Sequence, residues 1–185
     1  MSNSFEILMN QLGMPSEMRQ APALAQADIE RVVVHKISKV WEFHFVFSNI
    51  LPIEIFLELK KGLREEFSKT GNKAVFEIKA LSQEFSNQLL QSYYREAFSE
   101  GPCASQGFKS LYQNLQVRAE GNQLFIEGSE AIDKEHFKKN HLPNLAKQLE
   151  KFGFPTFNCQ VEKNDVLTQE QEEAFHAENE QIVQA

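Results

Sequence analysis

Residues 40–47, VWEFHFVF, alternate between large aromatic side chains and other residues. Successive side chains of a β-strand point to opposite faces of a sheet, so this pattern predicts a strand with two unlike faces. One face carries Trp41, Phe43, Phe45 and Phe47. Because aromatic rings supply much of the area that a small core needs, we expect that face to be buried. The opposite face carries Glu42, His44 and Val46 and is predicted to point outward.

The segments before this strand predict a helix and a hairpin. Residues 4–14 place apolar side chains at helical spacing, with Ser4 as the expected N-cap and Gly13 ending the helix. The β-branched stretch 29–37 reads as a strand, and the short Ser38-Lys39 break joins it to residues 40–47 as a hairpin.

A helix and a short strand are predicted to follow the hairpin. Pro52 stands near the first position of the helix, where proline is favoured, and Gly71 ends it. Its apolar stripe is Phe56, Leu59, Leu63 and Phe67. A strand at 74–79 completes the order strand, strand, helix, strand.

The same order recurs in the second half of the chain. The predicted elements are helices at 83–98 and 104–114, strands at 115–120 and 123–127, a helix from Asp133 to Phe152 kinked or split at Pro143, and a strand at 157–161. A helix-end phenylalanine followed by glycine occurs in both halves, as Phe67 with Gly71 and as Phe152 with Gly153.

This repeat predicts an α+β fold of two small modules, each a short antiparallel or mixed sheet with helices on one face. The strand–strand–helix–strand order resembles a K-homology-like arrangement. We assign the first module to residues 1–80, the second to 81–163, and an acidic helical tail to 164–185.

The net charge of −7 belongs mainly to the tail. Residues 165–185 contain six acidic and no basic side chains, which leaves 20 acidic against 19 basic in residues 1–164. A nearly neutral folded part lacks the clustered basic side chains that bind phosphates. No two glycines have the spacing of the GxxG loop that K-homology domains use to bind nucleic acid. The modules are therefore predicted to contact proteins. A degenerate K-homology module that guides single-stranded nucleic acid is the alternative.

The residues that could take part in catalysis or bind a metal ion form no recognised motif. The five histidines include no HxH or HExxH, and no Walker, GxSxG or GxGxxG motif occurs. We expect no catalytic, cofactor-binding or metal-binding residue, and we expect Cys159, on an apolar strand face, to be a core side chain. With only two cysteines, no signal peptide and no long apolar stretch, the chain is predicted to be cytoplasmic.

Two segments resemble a known family. The segment RVVVHKISKVWEFHFVFSNILPIEIFLELKKGLREEF is similar to the first N-terminal domain of PolC-type DNA polymerase III α subunits. The segment ASQGFKSLYQNLQVRAEGNQLFIEGSEAIDKEHFKKNHLPNLAKQLEKFGF is similar to the second.

The resemblance implies that the chain is the non-catalytic N-terminal region of a replicative DNA polymerase that also has a 3′–5′ exonuclease. DNA-binding and catalytic domains, with their divalent metals, would lie in a downstream part of the parent protein. The first domain would be similar in fold to the polymerase-binding domain of the clamp-loader τ subunit, and the second would be K-homology-like. The implied role is to tether the polymerase in the replisome, with τ as the leading partner among replisome proteins and no contact with a membrane.

Five residues are proposed from the sequence for partner contact. Glu42 and His44 lie on the outer face of the first hairpin, and Lys60 and Arg64 on the following helix. Tyr94 belongs to the adjacent pair Tyr93-Tyr94, which we expect to be exposed, although Tyr93 fits a core position equally well.

Overall fold

The computed structural model describes residues 1–99, 112, 115–128 and 134–163. In chain order the elements are α1 (Asn3–Gln11), α2 (Ser16–Arg19), a 3₁₀ turn (Pro22–Leu24), β1 (Asp28–His35), β2 (Val40–Phe47), α3 (Ile53–Ser68), β3 (Lys73–Ala80), α4 (Asn87–Ala97), β4 (Gln116–Glu120), β5 (Gln123–Gly128), α5 (Lys134–Asn140), α6 (Leu142–Lys151) and β6 (Asn158–Lys163). The predicted helix at 104–114 and the predicted acidic tail helix lie outside this description, except for Tyr112.

The chain forms two compact units, and each has its own sheet. The first unit comprises residues 1–89 and 148–155, and the second comprises 90–147 and 156–185. The sheet orders are β1-β2-β3 and β4-β5-β6. In both sheets the first two strands pair antiparallel and the last two pair parallel. The predicted α+β class with two small mixed sheets is therefore confirmed. The K-homology likeness stays a prediction.

The repeat extends to individual backbone hydrogen bonds. The third strand of each sheet begins with an N–H that donates to the hairpin turn, from Lys73 to the Lys39 carbonyl and from Asn158 to the Asn122 carbonyl, both at 2.8 Å. These bonds hold the first residue of the parallel strand beside the turn that joins the antiparallel pair. The two halves therefore share a topology and its closing contact.

The two helix-ending glycines adopt the same C-terminal motif. Gly71 and Gly153 have positive φ angles of 69° and 98°. After α3, the Asn72 N–H donates to the Phe67 carbonyl and the Gly71 N–H to that of Ser68. After α6, Phe154 and Gly153 donate to Leu149 and Glu150 in the same pattern. This is the Schellman motif, whose left-handed position favours glycine.

Aromatic packing forms the core of the first unit, as predicted from the alternation in β2. Phe43, Phe45 and Phe47 are buried, and Trp41 at the end of the strand is half-buried. The rings that pack on this face come from α1, α3 and β3. The contacts are Phe5 on Phe45 and Phe47 at 5.6 and 5.5 Å, Phe67 on Trp41 and Phe43 at 5.3 and 5.4 Å, and Phe76 on Phe45 at 5.8 Å.

The core of the second unit combines apolar strand residues with a polar clamp. Leu124 and Ile126 of β5 are fully buried, and Phe137 of α5 packs on Tyr112 at 4.4 Å. The Gln91 amide accepts from the Val117 N–H and donates to the Leu115 carbonyl, both at 2.8 Å. One side chain thus satisfies backbone groups at the start of β4 and fixes α4 against it.

Some element boundaries differ from the sequence-based expectation. The N-cap of α1 is Ser2 rather than Ser4, because the Ser2 hydroxyl accepts from the Phe5 N–H at 3.3 Å. Helix α4 begins at Asn87, four residues later than predicted. The predicted helix from Asp133 is split into α5 and α6, with Pro143 in the first turn of α6, where a missing N–H costs nothing. No helix within the described ranges is long and apolar enough to cross a membrane.

A pair of glycine substitutions tests the packing after α6. Gly71→Ala should lower the free energy of unfolding by about 1 kcal/mol, because only the left-handed backbone is strained and no atom lies within 4 Å of the added Cβ. Gly153→Ala should cost about 2–3 kcal/mol, because its Cβ would also lie 3.0 Å from Ile78 Cγ2 and 3.3 Å from Ala80 Cβ. Urea unfolding of both variants measures the difference. Equal losses would show that this close approach does not exist.

Candidate functional site

Strand register brings three chemically active side chains together on the outer face of the first sheet. Glu42 and His44 are two positions apart on β2 and share a face, and His44 pairs directly with Glu77 of β3. His44 Nε2 lies 3.0 Å from Glu42 Oε1, and His44 Nδ1 lies 3.7 Å from Glu77 Oε2. The sequence places Glu42 and His44 here, whereas Glu77 joins them only through the parallel pairing.

Two further basic or ionisable side chains contact the carboxylates of this cluster. His35 Nε2 lies 3.2 Å from Glu42 Oε2, and Lys151 Nζ lies 3.2 Å from Glu77 Oε1. Hydrogen bonding from His35, aided by the charges of His44 and His35, holds the pKa of Glu42 below its ordinary value of 4.5, against the desolvation that would raise it. Glu42 is therefore ionised at neutral pH.

His44 Nε2 has two competing neighbours. Arg31 Nη2 lies 3.1 Å from the nitrogen that also faces Glu42 Oε1. That nitrogen accepts from Arg31 when it is unprotonated and donates to Glu42 when it carries a proton. The contact that His44 Nε2 makes therefore depends on which ring nitrogen carries the proton.

Glu42, His44 and Glu77 also have the side chains of a metal site. Their ligand atoms lie within 4.8 Å of one another. Arg31 and Lys151, however, already stand against His44 Nε2 and Glu77 Oε1 and supply the positive charge that a metal ion would bring. The geometry is that of a charge-paired surface network, and our expectation that the chain holds no cofactor stays a prediction.

The second sheet carries a similar network centred on Arg118 of β4. Its guanidinium pairs with Glu120, lies 2.9 Å from Glu162 of β6 and 3.7 Å from Glu127 of β5, and stacks 4.1 Å from the centre of the Phe125 ring. One cation thus links all three strands and faces three carboxylates. The pairing fixes the sheet and leaves this face with excess negative charge.

The five residues proposed for partner contact do not form one surface. Glu42 and His44 are adjacent, as described above. Lys60 and Arg64 lie on α3, which packs through Phe56 and Phe67 on the aromatic face of the same sheet. The sheet therefore separates the two pairs.

The expectation that Tyr94 is exposed is wrong, and of the two placements left open for Tyr93 the structure shows the core. Both are fully buried, and the Tyr94 hydroxyl donates to the Tyr112 carbonyl at 2.7 Å. The buried residues of α4 are Leu90, Tyr93, Tyr94 and Ala97. Their spacing of three, four and seven residues is that of one helix face. The sequence pattern therefore already contained the signal.

The sequence did not single out the edge strand β1 as a surface. Val32 and Val34 remain 40% and 42% exposed, and Ile37 in the following turn is fully exposed. Register with Phe43 and Trp41 places the two valines on the aromatic side of the sheet. The available sequence signal was the apolar run Val32-Val33-Val34, whereas the position of β1 at an edge follows from the strand order.

Cys159 of β6 is partly buried, and burial raises the pKa of its thiol to about 11. A thiol with this pKa is protonated at neutral pH and is a poor nucleophile. Cys103, the other cysteine, lies outside the described residues.

Comparison with known proteins gives matches along nearly the whole chain. A family model described as DNA polymerase III polC-type N-terminus I matches residues 4–78. A second, described as DNA polymerase III polC-type N-terminus II, matches residues 92–185. No solved structure matches the chain.

Curated relatives carry the name DNA polymerase III PolC-type. The chain is 98% identical to one from Streptococcus pneumoniae over 97% of its own length, 64% identical to one from Streptococcus sanguinis over its full length, and 45% identical to one from Streptococcus suis over its full length. It spans 12% of the first protein and 13% of the other two.

The Glu42 cluster predicts a specific pH dependence of stability. Because the pKa of Glu42 is lower in the folded chain, its stabilising contribution is present above the ordinary carboxyl range and is lost as the pH falls through the lowered value. Glu42→Gln should therefore be less stable than the unsubstituted chain at about pH 6, and the gap should close towards about pH 3. Urea unfolding across this range measures the gap, with exposed Glu6→Gln as control. A gap that is constant with pH would contradict the assignment.

Proposed function

This chain belongs to the PolC-type DNA polymerase III family, as part of its N-terminal region, and we propose that it serves there as a non-catalytic protein-interaction region. Its role is to tether a replicative DNA polymerase within the replisome in the cytoplasm. The partner is the clamp-loader τ subunit, with other replisome proteins as further contacts.

We also propose that the full-length protein carries out DNA-directed DNA synthesis with 3′–5′ proofreading. Those activities, the contacts with DNA and the divalent metal ions belong to domains outside these 185 residues. Family membership and the printed name of the relatives support this proposal. The chain spans only 12–13% of those relatives, which leaves ample sequence for the catalytic domains.

The observation that carries the tethering proposal is that charged groups on both outer sheet faces pair with one another. Glu42 is held by His35 and His44, and Arg118 by carboxylates on all three strands of its sheet. Catalytic groups instead converge on a concave pocket, with pKa values tuned to the reaction. Paired surface charges of this kind suit recognition between proteins, where charge complementarity gives specificity.

Charge also favours a protein partner over single-stranded nucleic acid. Binding to a phosphate backbone depends on clustered lysine and arginine side chains. The outer face of the second sheet sets Arg118 against Glu120, Glu127 and Glu162, which would repel phosphates. The hypothesis of a K-homology-like module that guides single-stranded nucleic acid is therefore less favoured.

Calorimetric titration of the chain with purified τ tests the tether. We expect saturable one-to-one binding with a dissociation constant of about a micromolar or tighter, as for a specific protein interface. Tyr94→Phe, which removes a hydroxyl from the second core, serves as a control because it leaves every exposed side chain in place. Absence of binding at concentrations about a hundredfold higher would refute the τ assignment.

A fluorescence titration with labelled single-stranded DNA at low salt separates the two functions. We expect no saturable binding by the chain, and no polymerase or exonuclease activity in parallel assays. Binding that weakens steeply as salt rises would instead support the nucleic-acid-guiding module.

A further inference from the structure

Strand β1 lies at one edge of the first sheet, and part of its backbone has a regular strand register. Among the strands that the structure describes it pairs only with β2, and a bulge at Glu30 interrupts the register. From Arg31 to His35 the register is continuous, and these residues pair in order with His44 to Val40 of β2. In an antiparallel pair, alternate residues direct their N–H and C=O groups away from the partner strand. Residues 31–35 therefore present backbone groups that can accept another strand.

On the aromatic side of the sheet the side chains of this edge are apolar, where an edge strand of a soluble protein often carries charges. Val32 and Val34 lie on the aromatic side of the sheet yet are 40% and 42% exposed. Helix α3 covers β2 and β3, with Phe67 on Phe43 and Phe56 on Phe76, whereas the two valines remain partly exposed. An added strand would bring apolar side chains against both valines and extend the covered face.

The hairpin turn at one end of the edge is basic. Lys36 and Lys39 lie in the turn, and Lys73 is held beside it by the hydrogen bond from its N–H to the Lys39 carbonyl. All three are exposed, and none forms an ion pair with another part of the chain that the structure describes. A partner with carboxylates at this end would neutralise them.

We propose that β1 is a docking edge that takes up one extended segment of a partner protein as a fourth strand of the first sheet. The segment has apolar side chains at alternate positions, which cover Val32 and Val34, and acidic side chains at the end beside Lys36, Lys39 and Lys73. Strand addition obtains affinity from backbone hydrogen bonds and specificity from alternate side chains. This inference deepens the proposed tether and rests on it, because it names the surface that the partner contacts.

A second copy of the chain fits this edge less well. The carboxylates that its own β1 could offer are Asp28 and Glu30. Glu30 is already paired with Lys79 at 3.3 Å, and the Asp28 carboxylate accepts from the Ile29 N–H at 2.8 Å. Neither is available to three lysines without breaking a contact inside the sheet.

Variants at the edge test the docking surface, with τ as the partner probe. Val32→Lys with Val34→Lys should weaken τ binding by about tenfold or more, because charged side chains on an edge oppose strand addition. Val75→Lys is the matched control, since Val75 is a valine of 47% exposure on β3 at the other edge of the same sheet, and it should bind within about twofold of the unsubstituted chain.

Charge reversal tests the basic turn without touching the apolar edge. Lys36→Glu with Lys39→Glu should weaken binding and reduce its dependence on salt concentration. Lys61→Glu is the control, because Lys61 lies on the exposed side of α3 beside Glu58. Reversal in the turn that leaves affinity and salt dependence unchanged would remove the acidic end from the proposal.

Amide hydrogen exchange distinguishes strand addition from simple apolar contact. In the complex, the exchange rate of alternate amides of residues 31–35 should fall by about tenfold or more, because these amides gain hydrogen-bond partners. A complex that forms without this protection, or edge variants that bind as the unsubstituted chain does, would overturn the inference while leaving the tether intact. If the unsubstituted chain does not bind τ, the tether and the inference both fail. Dimerisation through β1, or single-stranded DNA that protects these amides in place of τ, would also overturn it.

Discussion

The parallel pairing of the second and third strands is the constraint on which both units depend. Parallel neighbours cannot be joined by a tight turn, so the chain must travel the length of the sheet before it re-enters. Helix α3 makes this passage between β2 and β3, and α5 and α6 lie between β5 and β6 in chain order. The return then requires a sharp reversal, which Gly71 and Gly153 provide through positive φ angles.

The position of the crossover helix decides which side chains remain at the surface. Helix α3 packs where it can connect β2 with β3, so the aromatic rings of the central strand are covered and the valines of β1 are not. The side of β1 away from β2 also keeps its backbone groups unpaired within the sheet. An exposed edge with apolar side chains is consequently a by-product of the topology, and it is also the feature that suits a binding partner.

Local sequence signals predicted the elements well because each depends on a few neighbouring residues. Alternation in β2, the glycines after α3 and α6, and Pro143 in the second half each act within about one helical turn or strand. Ser4 is the cap expected from the sequence because it directly precedes Phe5, whereas the backbone geometry makes Ser2 the cap. The burial of Tyr94 follows the three-and-four spacing of a helix face, which it shares with Leu90 and Ala97 in α4.

The sequence by itself determined the fold class, the repeated order of elements and the family, because each is written in short-range periodicity or in recognisable segments. Only the tertiary structure decided which charged residues meet. Glu77 reaches His44 through a parallel register between strands separated by a whole helix, and Arg118 reaches Glu162 in the same way across the second sheet. Long-range pairing also made β1 an edge strand. No local pattern encodes these outcomes, because strand order and burial depend on how all the elements pack together.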